Sequence, residues 1–239
     1  MLPTITHPTF PVLVPSLDRA GRFRPFTVKE EKLLLMAKES EDVSDHFRAI
    51  YNVTQNCCMD DAVDFGTLAT FDVEWLFLKL RAESVGRNLV QSFTDNFEAA
   101  TMANPPTYNI EIDLDKVAAP VMPEGWKGSK TFMMDGEATQ GVRLRFPPAS
   151  LYLNGELEDA PDATLYRSTV EIFSGADKFT EFTKEECVAY YDGWTMKAME
   201  PIKEFLATTP HMSFEATYTD SKGEVKKARL TGLADFFTF

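Results

Sequence analysis

The sequence predicts an α+β fold in which amphipathic helices are combined with antiparallel hairpins. Three patterns carry this prediction: apolar residues recur at helical spacing over 28–86, apolar and acidic residues alternate over 110–115, and a second set of helical patterns precedes another alternating segment at 214–219. With 239 residues, 44% of them hydrophobic, the chain can close a core of its own. Its length suits one large domain or two small ones.

The opening of the chain predicts two short edge strands followed by a helix. The segments 9–14 and 21–26 contain Pro11 and Pro25, which lack an N–H and therefore do not suit the centre of a sheet. Thr27 and Glu30 have the spacing of a capping box, in which the two residues satisfy each other's backbone N–H groups. We therefore expect a helix from about residue 28 to residue 39.

Two further helices are predicted before residue 86. The segment 42–58 has one continuous helical stripe, formed by Val43, Phe47, Ile50, Tyr51, Thr54, Cys57 and Cys58. A third helix follows Asp72 and ends near Gly86, a residue typical of helix C-termini. It is apolar on more than one side, so we expect it to lie between layers.

From residue 88 onward, period-2 alternation indicates strands. Ile110, Ile112 and Leu114 alternate with acidic residues, and the segment 89–97 is a plausible antiparallel partner. Another alternating strand at 142–146 is followed by two prolines.

The second half repeats the order of helices followed by a hairpin. The predicted elements are a helical stripe formed by Tyr166, Thr169, Val170 and Phe173, a helix opened by a capping box at 183–186, a helix reaching about residue 206, and a hairpin of 214–219 with 225–230. This order fits two similar helix-then-hairpin halves. We therefore divide the chain into an N-terminal region, 1–146, and a C-terminal region, 147–239, which are also compatible with packing as one domain.

The charge of the chain disfavours two classes of partner. Lys and Arg total 24 against 37 Asp and Glu, which gives a net charge of −13. So acidic a chain is poorly suited to nucleic acid or to an anionic membrane surface. The longest apolar stretches, 33–37 and 75–78, are far shorter than the roughly 20 residues of a membrane span, and the N-terminus does not resemble a signal peptide. We expect neither nucleic acid nor membrane as a partner.

The sequence contains no recognisable catalytic or metal-binding pattern. His7, His46 and His211 are far apart, and the three cysteines, Cys57, Cys58 and Cys187, do not supply a four-ligand site with them. No phosphate-binding loop, nucleophile elbow or dinucleotide fingerprint is present, although two carboxylates could still meet in space. We predict no catalytic residues, no metal and no cofactor. The paired cysteines on the apolar stripe are interpreted as packed hydrophobic residues, with redox activity as the alternative.

The aromatic residues provide candidates for partner contact. The chain has 19 Phe, 7 Tyr and 3 Trp, and aromatic side chains dominate the energetics of cores and interfaces alike. Core packing accounts for most of them. As interface candidates we single out Phe26, Trp75, Phe77, Phe236, Phe237 and Phe239.

Long collinear blocks of the sequence resemble one protein family. The run GRFRPFTVKEEKLLLMAKES, which begins at Gly21, is similar to an N-terminal run of the T4-like phage baseplate hub family. Further similar blocks are NC at 56–57, FDVE at 71–74, FLKLRA at 77–82, SVG at 84–86, IFSG at 172–175, FTKEE at 182–186, IKEF at 202–205 and LTGLADFF at 230–237. Relatives often carry cysteines near the hairpin turns, whereas 91–101 and 218–224 have none here, so a cysteine-bound metal is not carried over.

The resemblance implies a structural component of the baseplate hub of a contractile phage tail. Its expected partners are other baseplate hub, tail-tube or wedge proteins, with several copies around the tail axis. Its expected location is the tail baseplate of the virion, after synthesis and assembly in the bacterial host cytoplasm. Two alternatives belong to other classes: a hub assembly chaperone that is absent from the mature virion, and a tail-associated hydrolase, which the missing catalytic pattern disfavours.

Overall fold

A computed structural model of the chain describes residues 5–40, 42–94, 96–134, 139–153 and 160–232. The helices of this part are α1 (Val28–Lys38), α2 (Val43–Cys57), α3 (Thr70–Ser84), α4 (Asn96–Thr101), α5 (Ala160–Ser168), α6 (Lys184–Asp192) and α7 (Met196–Ala207), with short 3-10 helices η1 (Pro15–Leu17) and η2 (Ala149–Tyr152). The strands are β1 (Phe10–Val14), β2 (Arg19–Phe23), β3 (Asn88–Thr94), β4 (Thr107–Asp113), β5 (Lys130–Met133), β6 (Gln140–Leu144), β7 (Thr169–Ser174), β8 (Asp177–Phe179), β9 (Ser213–Thr219) and β10 (Val225–Thr231). The predicted α+β class is confirmed.

The strands form three hairpins and one larger sheet, and every pairing among them is antiparallel in the described part of the chain. The hairpins are β1–β2, β3–β4 and β9–β10, and the larger sheet has the order β5-β6-β7-β8. The predicted edge strands at the N-terminus therefore pair with each other, with Val12 opposite Gly21. The predicted hairpins of 89–97 with 110–114 and of 214–219 with 225–230 are also present, except that β3 ends at Thr94 and residues 96–97 belong to α4.

The helical stripe predicted at residues 166–173 is wrong. Helix α5 ends at Ser168, and Thr169 opens strand β7, which pairs with β6 on one side and β8 on the other. Three or four apolar residues at helical spacing are too few to decide between helix and strand. The β-branched residues Val170 and Ile172 favour the strand once neighbouring strands are available for pairing.

Pairing between β6 and β7 runs across the predicted boundary at residue 146. Val142 lies opposite Ile172 in this pair, so the larger sheet combines strands from both regions of the chain. A second contact across this boundary joins the hairpins β3–β4 and β9–β10, where the ring centroids of Tyr108 and Tyr218 are 5.0 Å apart. Whether 1–146 and 147–239 are separate folding units stays a prediction.

Helix α3 lies between two apolar cores, as its sequence predicts. Nine of its fifteen residues are buried: Phe71, Asp72, Val73, Trp75, Leu76, Phe77, Leu78, Leu80 and Ala82. Val73 and the apolar residues after it pack into a first core with β1, β2, α2 and β4. Phe71, at the start of the helix, belongs to a second core with β5, β6, β7, α6 and α7.

The N-terminus of α3 is fixed by the buried carboxylate of Asp72. Its Oδ2 accepts the Ala69 N–H at 2.9 Å, and its Oδ1 accepts the Ser16 N–H at 2.9 Å. Burial raises the pKa of Asp72 to about 6, although these hydrogen bonds oppose the increase. The Ser16 carbonyl in turn accepts the indole N–H of Trp126 at 2.8 Å, and the Trp126 ring lies 4.7 Å from the Phe146 ring of the second core.

The burial of α3 makes a direct prediction about stability. Trp75→Ala and Phe77→Ala should each lower the free energy of unfolding by about 3–5 kcal/mol, because each leaves a cavity in the first core. Urea unfolding monitored by circular dichroism measures this. Val85→Ala, just beyond the helix and 59% exposed, is the matched control and should change the value by less than about 0.5 kcal/mol. A near-neutral Trp75→Ala or Phe77→Ala would contradict the described core.

Candidate protein interaction surface

Helix α1 exposes an apolar face. Of its eleven residues only Glu30 and Ala37 are buried, whereas Val28, Leu35 and Met36 are 65%, 57% and 70% exposed. These three residues stand at i, i+7 and i+8 and therefore share one side of the helix, with Lys32 between them. We call Val28, Lys32, Leu35 and Met36 the α1 face. Leu33, also exposed, lies next to it.

Polar contacts hold the opposite side of α1 on the protein. The Arg24 guanidinium contacts Glu30 Oε1 at 2.8 Å and also donates to the Asn56 carbonyl at 3.1 Å, near the end of α2. Glu30 Oε2 accepts the Thr27 N–H at 2.7 Å, so the predicted capping box forms. Leu34 adds an apolar contact with the first core. The helix is thus anchored through its start, and the α1 face is left outside.

Glu30 is ionised at neutral pH in this arrangement. Burial opposes its ionisation, but the hydrogen bonds from Arg24 and Thr27 outweigh burial and lower the pKa of Glu30 to about 2. The same hydrogen bond raises the pKa of Arg24, although burial opposes that increase. The anchor of α1 is therefore an ion pair under all ordinary conditions.

Among the interface residues predicted from sequence, Phe26 is the one that adjoins the α1 face. Its side chain is half-buried against the first core, and its N–H donates to Ser84 Oγ at 2.9 Å. This bond ties the chain just before α1 to the end of α3, where Val85 is exposed. A role of Phe26 in partner contact stays a prediction.

The structure places Trp75 and Phe77 in the first core. Both are buried, the Trp75 indole N–H donates to the Leu13 carbonyl at 3.2 Å, and the Lys79 ammonium lies 4.4 Å from the Trp75 ring centroid. Packing within the chain is sufficient to explain the burial of both side chains, so neither is exposed for contact with another protein. Phe236, Phe237 and Phe239 lie outside the described residues, and their role stays a prediction.

The α1 face was not identified from sequence, although the sequence contains a signal for it. Residues 33–36 read Leu-Leu-Leu-Met, and four consecutive apolar residues cannot all face one side of a helix. Some of these residues are therefore exposed unless other elements pack against most sides of α1, as they do for α3. Only the structure shows that α1 is covered on one side.

The cysteines are packed, protonated thiols. All three are free; Cys57 lies in the first core and Cys187 in the second. Burial raises the pKa of Cys57 to about 11, and burial likewise raises the pKa of Cys58 and of Cys187. A thiol that stays protonated at neutral pH is a poor nucleophile and a poor metal ligand. The interpretation of these residues as small hydrophobic side chains agrees with this environment.

The described residues also hold no group of three or more His, Cys, Asp or Glu side chains arranged to bind a metal. His46 Nε2 lies 3.0 Å from the Ser40 carbonyl, whereas His7 and His211 are exposed elsewhere. Within the same part of the chain, every helix is too short or too polar to cross a bilayer.

Comparison with known proteins identifies the family. The family model described as T4 bacteriophage base plate protein matches residues 7–238, nearly the whole chain. The chain belongs to this family. No curated protein and no solved structure is detectably similar to it. Family membership confirms the resemblance inferred from the sequence blocks and makes this a structural protein of the phage tail baseplate, which is expected to contact other baseplate and tail proteins.

The ion pair beneath the α1 face predicts a pH dependence. Because the pKa of Glu30 is lowered to about 2 in the folded protein, its contribution is full above the ordinary value of 4.5 and is lost as the pH falls from 4.5 towards 2. Glu30→Gln should lower the free energy of unfolding at pH 7 by about 1–3 kcal/mol and remove this part of the acid dependence.

Urea unfolding of both proteins between pH 7 and pH 2.5 measures this effect. Glu31→Gln, the exposed neighbour on α1, serves as the control. Parallel stability curves for the wild-type chain and Glu30→Gln would contradict the anchoring role of Glu30.

Proposed function

We propose that this protein is a structural subunit of the baseplate hub, and that it acts through protein–protein contacts centred on the α1 face. The observation that carries the proposal is the exposure of Val28, Leu35 and Met36 on one side of a short helix in a member of a baseplate family. Adjacent exposed apolar side chains of this kind mark interaction sites on soluble proteins. The α1 face also falls within the block that resembles hub proteins.

The composition of the α1 face indicates the chemistry of its partner. Leucine, valine and methionine side chains require an apolar groove, and Met36 can adapt to an irregular one. Lys32 lies within the face, and Lys29 and Lys38 also project from α1 as exposed residues. An apolar groove with carboxylates at its rim, on another hub, tail-tube or wedge protein, matches this arrangement.

The hub position further implies several copies of the chain arranged around the tail axis, because homomeric rings repeat one contact around a rotational axis. A hub assembly chaperone would use the same surface transiently, so the two functions differ in whether the contact persists in the finished tail. No arrangement among the described residues supports the hydrolase alternative.

A single substitution on the α1 face should weaken incorporation into the baseplate. Met36→Ser removes an apolar side chain that is 70% exposed, so we expect little change in folding stability, less than about 0.5 kcal/mol, but several-fold lower incorporation into tails. Complementation of a deletion phage with the variant, followed by quantification of the protein in purified tails, measures this.

Met196→Ser is the matched control, because Met196 is 73% exposed on α7, a different helix. Its incorporation should equal that of the wild-type chain. Equal incorporation of Met36→Ser would show that the α1 face is not the docking surface.

The choice between subunit and chaperone rests on the composition of mature tails. We expect a constant copy ratio of this protein to known hub proteins in tails washed with high salt, because salt screens exposed charges but leaves apolar contacts intact. Quantitative mass spectrometry of washed tails and of infected-cell lysate gives both abundances. Presence in lysate with absence from finished tails would establish the chaperone instead.

A further inference from the structure

Three cationic residues line one cavity of the protein. This cavity has a volume of about 360 Å³ and lies where η1, the loop containing Trp126 and the end of β6 meet. Its lining includes Lys127, Arg143 and Arg145, together with Ser129, and none of the described residues that line it is acidic. We call it the basic cavity. Three cations around one cavity are unexpected in a chain with a net charge of −13.

Arg145 forms no direct ion pair within the described part of the chain. Its Nε and Nη2 donate to a neutral acceptor, the Arg167 carbonyl, at 3.3 and 3.2 Å. The negative charge of Asp64 acts on Arg145 electrostatically, but the two side chains form no ion pair in the described part of the chain. The Asp64 carboxylate instead accepts the Gly66 N–H at 2.9 Å. Burial lowers the pKa of Arg145, although the negative charge of Asp64 opposes this shift.

The other two cations are also incompletely paired. Arg143 Nη2 contacts Glu171 Oε2 at 3.2 Å, but Glu171 is shared with Lys178 at 3.6 Å. Arg143 Nε is buried and has no hydrogen-bond partner among the described residues. Lys127, on the exposed loop beside Trp126, makes no ion pair within the same part of the chain. The cavity therefore carries positive charge in excess of its neighbours' negative charge.

We infer that the basic cavity is an oxyanion-binding site. Guanidinium groups donate in a fixed planar fork that matches the two oxygens of a carboxylate or phosphate group, and a lysine adds a mobile point charge. Two arginines and one lysine line the cavity, and the groups they have left to donate are those not already bonded to the Arg167 carbonyl or to Glu171. Ser129, also among the lining residues, carries a hydroxyl, which is a neutral donor. The cavity is too small for a nucleic acid strand, and the chain around it is acidic, so the ligand is a single anionic group.

The source of that group in the baseplate is an acidic side chain of a neighbouring subunit. This part of the inference rests on the proposed function. An acidic protein has few places where a carboxylate of a partner is attracted rather than repelled, and a confined basic cavity supplies one. A dissolved anion such as phosphate is the other source of the same chemistry, and the experiment below separates the two.

Binding of inorganic phosphate to the full-length chain tests the site itself. Isothermal titration at low salt should show one phosphate per chain, with the affinity reduced about tenfold or more by Arg145→Met, since this variant loses a charge-assisted hydrogen bond. Lys127→Gln should reduce it less. Because Lys127 is exposed, that variant keeps the test usable if Arg145→Met fails to fold.

Arg48→Met is the matched control, because it removes the same charge from a half-exposed position on α2, outside the cavity. Its phosphate affinity should equal that of the wild-type chain. No phosphate binding by the wild-type chain, or equal affinity in all variants, would overturn the oxyanion site.

Incorporation into tails distinguishes the two sources of the anion. If a partner's carboxylate occupies the cavity, Lys127→Gln should be incorporated less than Arg48→Met, and phosphate should compete with incorporation. If Lys127→Gln binds phosphate more weakly but is incorporated as well as the wild-type chain, the assignment to a partner's carboxylate is overturned. The cavity would then be a site for a dissolved anion. The Met36→Ser experiment is independent of both results, so failure here does not bear on the α1 face.

Discussion

The hydrogen bonds of the Asp72 carboxylate join the start of α3 to η1, at the end of the helix where Phe71 enters the second core. A buried carboxylate is unfavourable unless its oxygens are satisfied, and here they accept N–H groups from the turn before α3 and from η1. Through Ser16 the same network reaches Trp126 and the second core. Helix α3 therefore contributes to both cores: most of its length packs in the first core, and Phe71 at its start packs in the second.

Because α3 places its aromatic residues inside, the surface available to partners lies elsewhere. Helix α1 packs against α2 and is fixed at its start by the Arg24–Glu30 ion pair, and the side that carries Val28, Leu35 and Met36 stays exposed. A helix held by its polar start can present apolar side chains without losing its position. This division, in which one helix stabilises the protein and another is proposed to contact the partner, suits a protein that occupies a fixed place in an assembly.

Charge is distributed on two scales. Over the whole chain acidic residues predominate, and many of them lie in exposed turns and strand faces, such as Asp113 and Asp115. Locally, β6 and the loop before β5 bring Arg143, Arg145 and Lys127 around one cavity. The overall negative charge disfavours contact with extended acidic surfaces, whereas the proposed oxyanion site would attract a carboxylate at one place.

Local sequence determined helices close to those at 28–38, 43–57 and 70–84, the hairpins β3–β4 and β9–β10, and the capping boxes at Thr27 and Thr183, because these depend on neighbours within a few residues. The edge strands at the N-terminus were also predicted, but their pairing with each other was not. The helix predicted from apolar spacing at 166–173 is wrong, because residues 169–174 pair with β6 as a strand. Other properties depend on how the helices and strands pack against one another. These are the burial of Trp75 and Phe77, the exposure of Met36, and the grouping of Lys127 with Arg145. Aromatic content and charge are sequence properties, but burial and proximity arise only when distant segments pack, so the tertiary structure alone decided them.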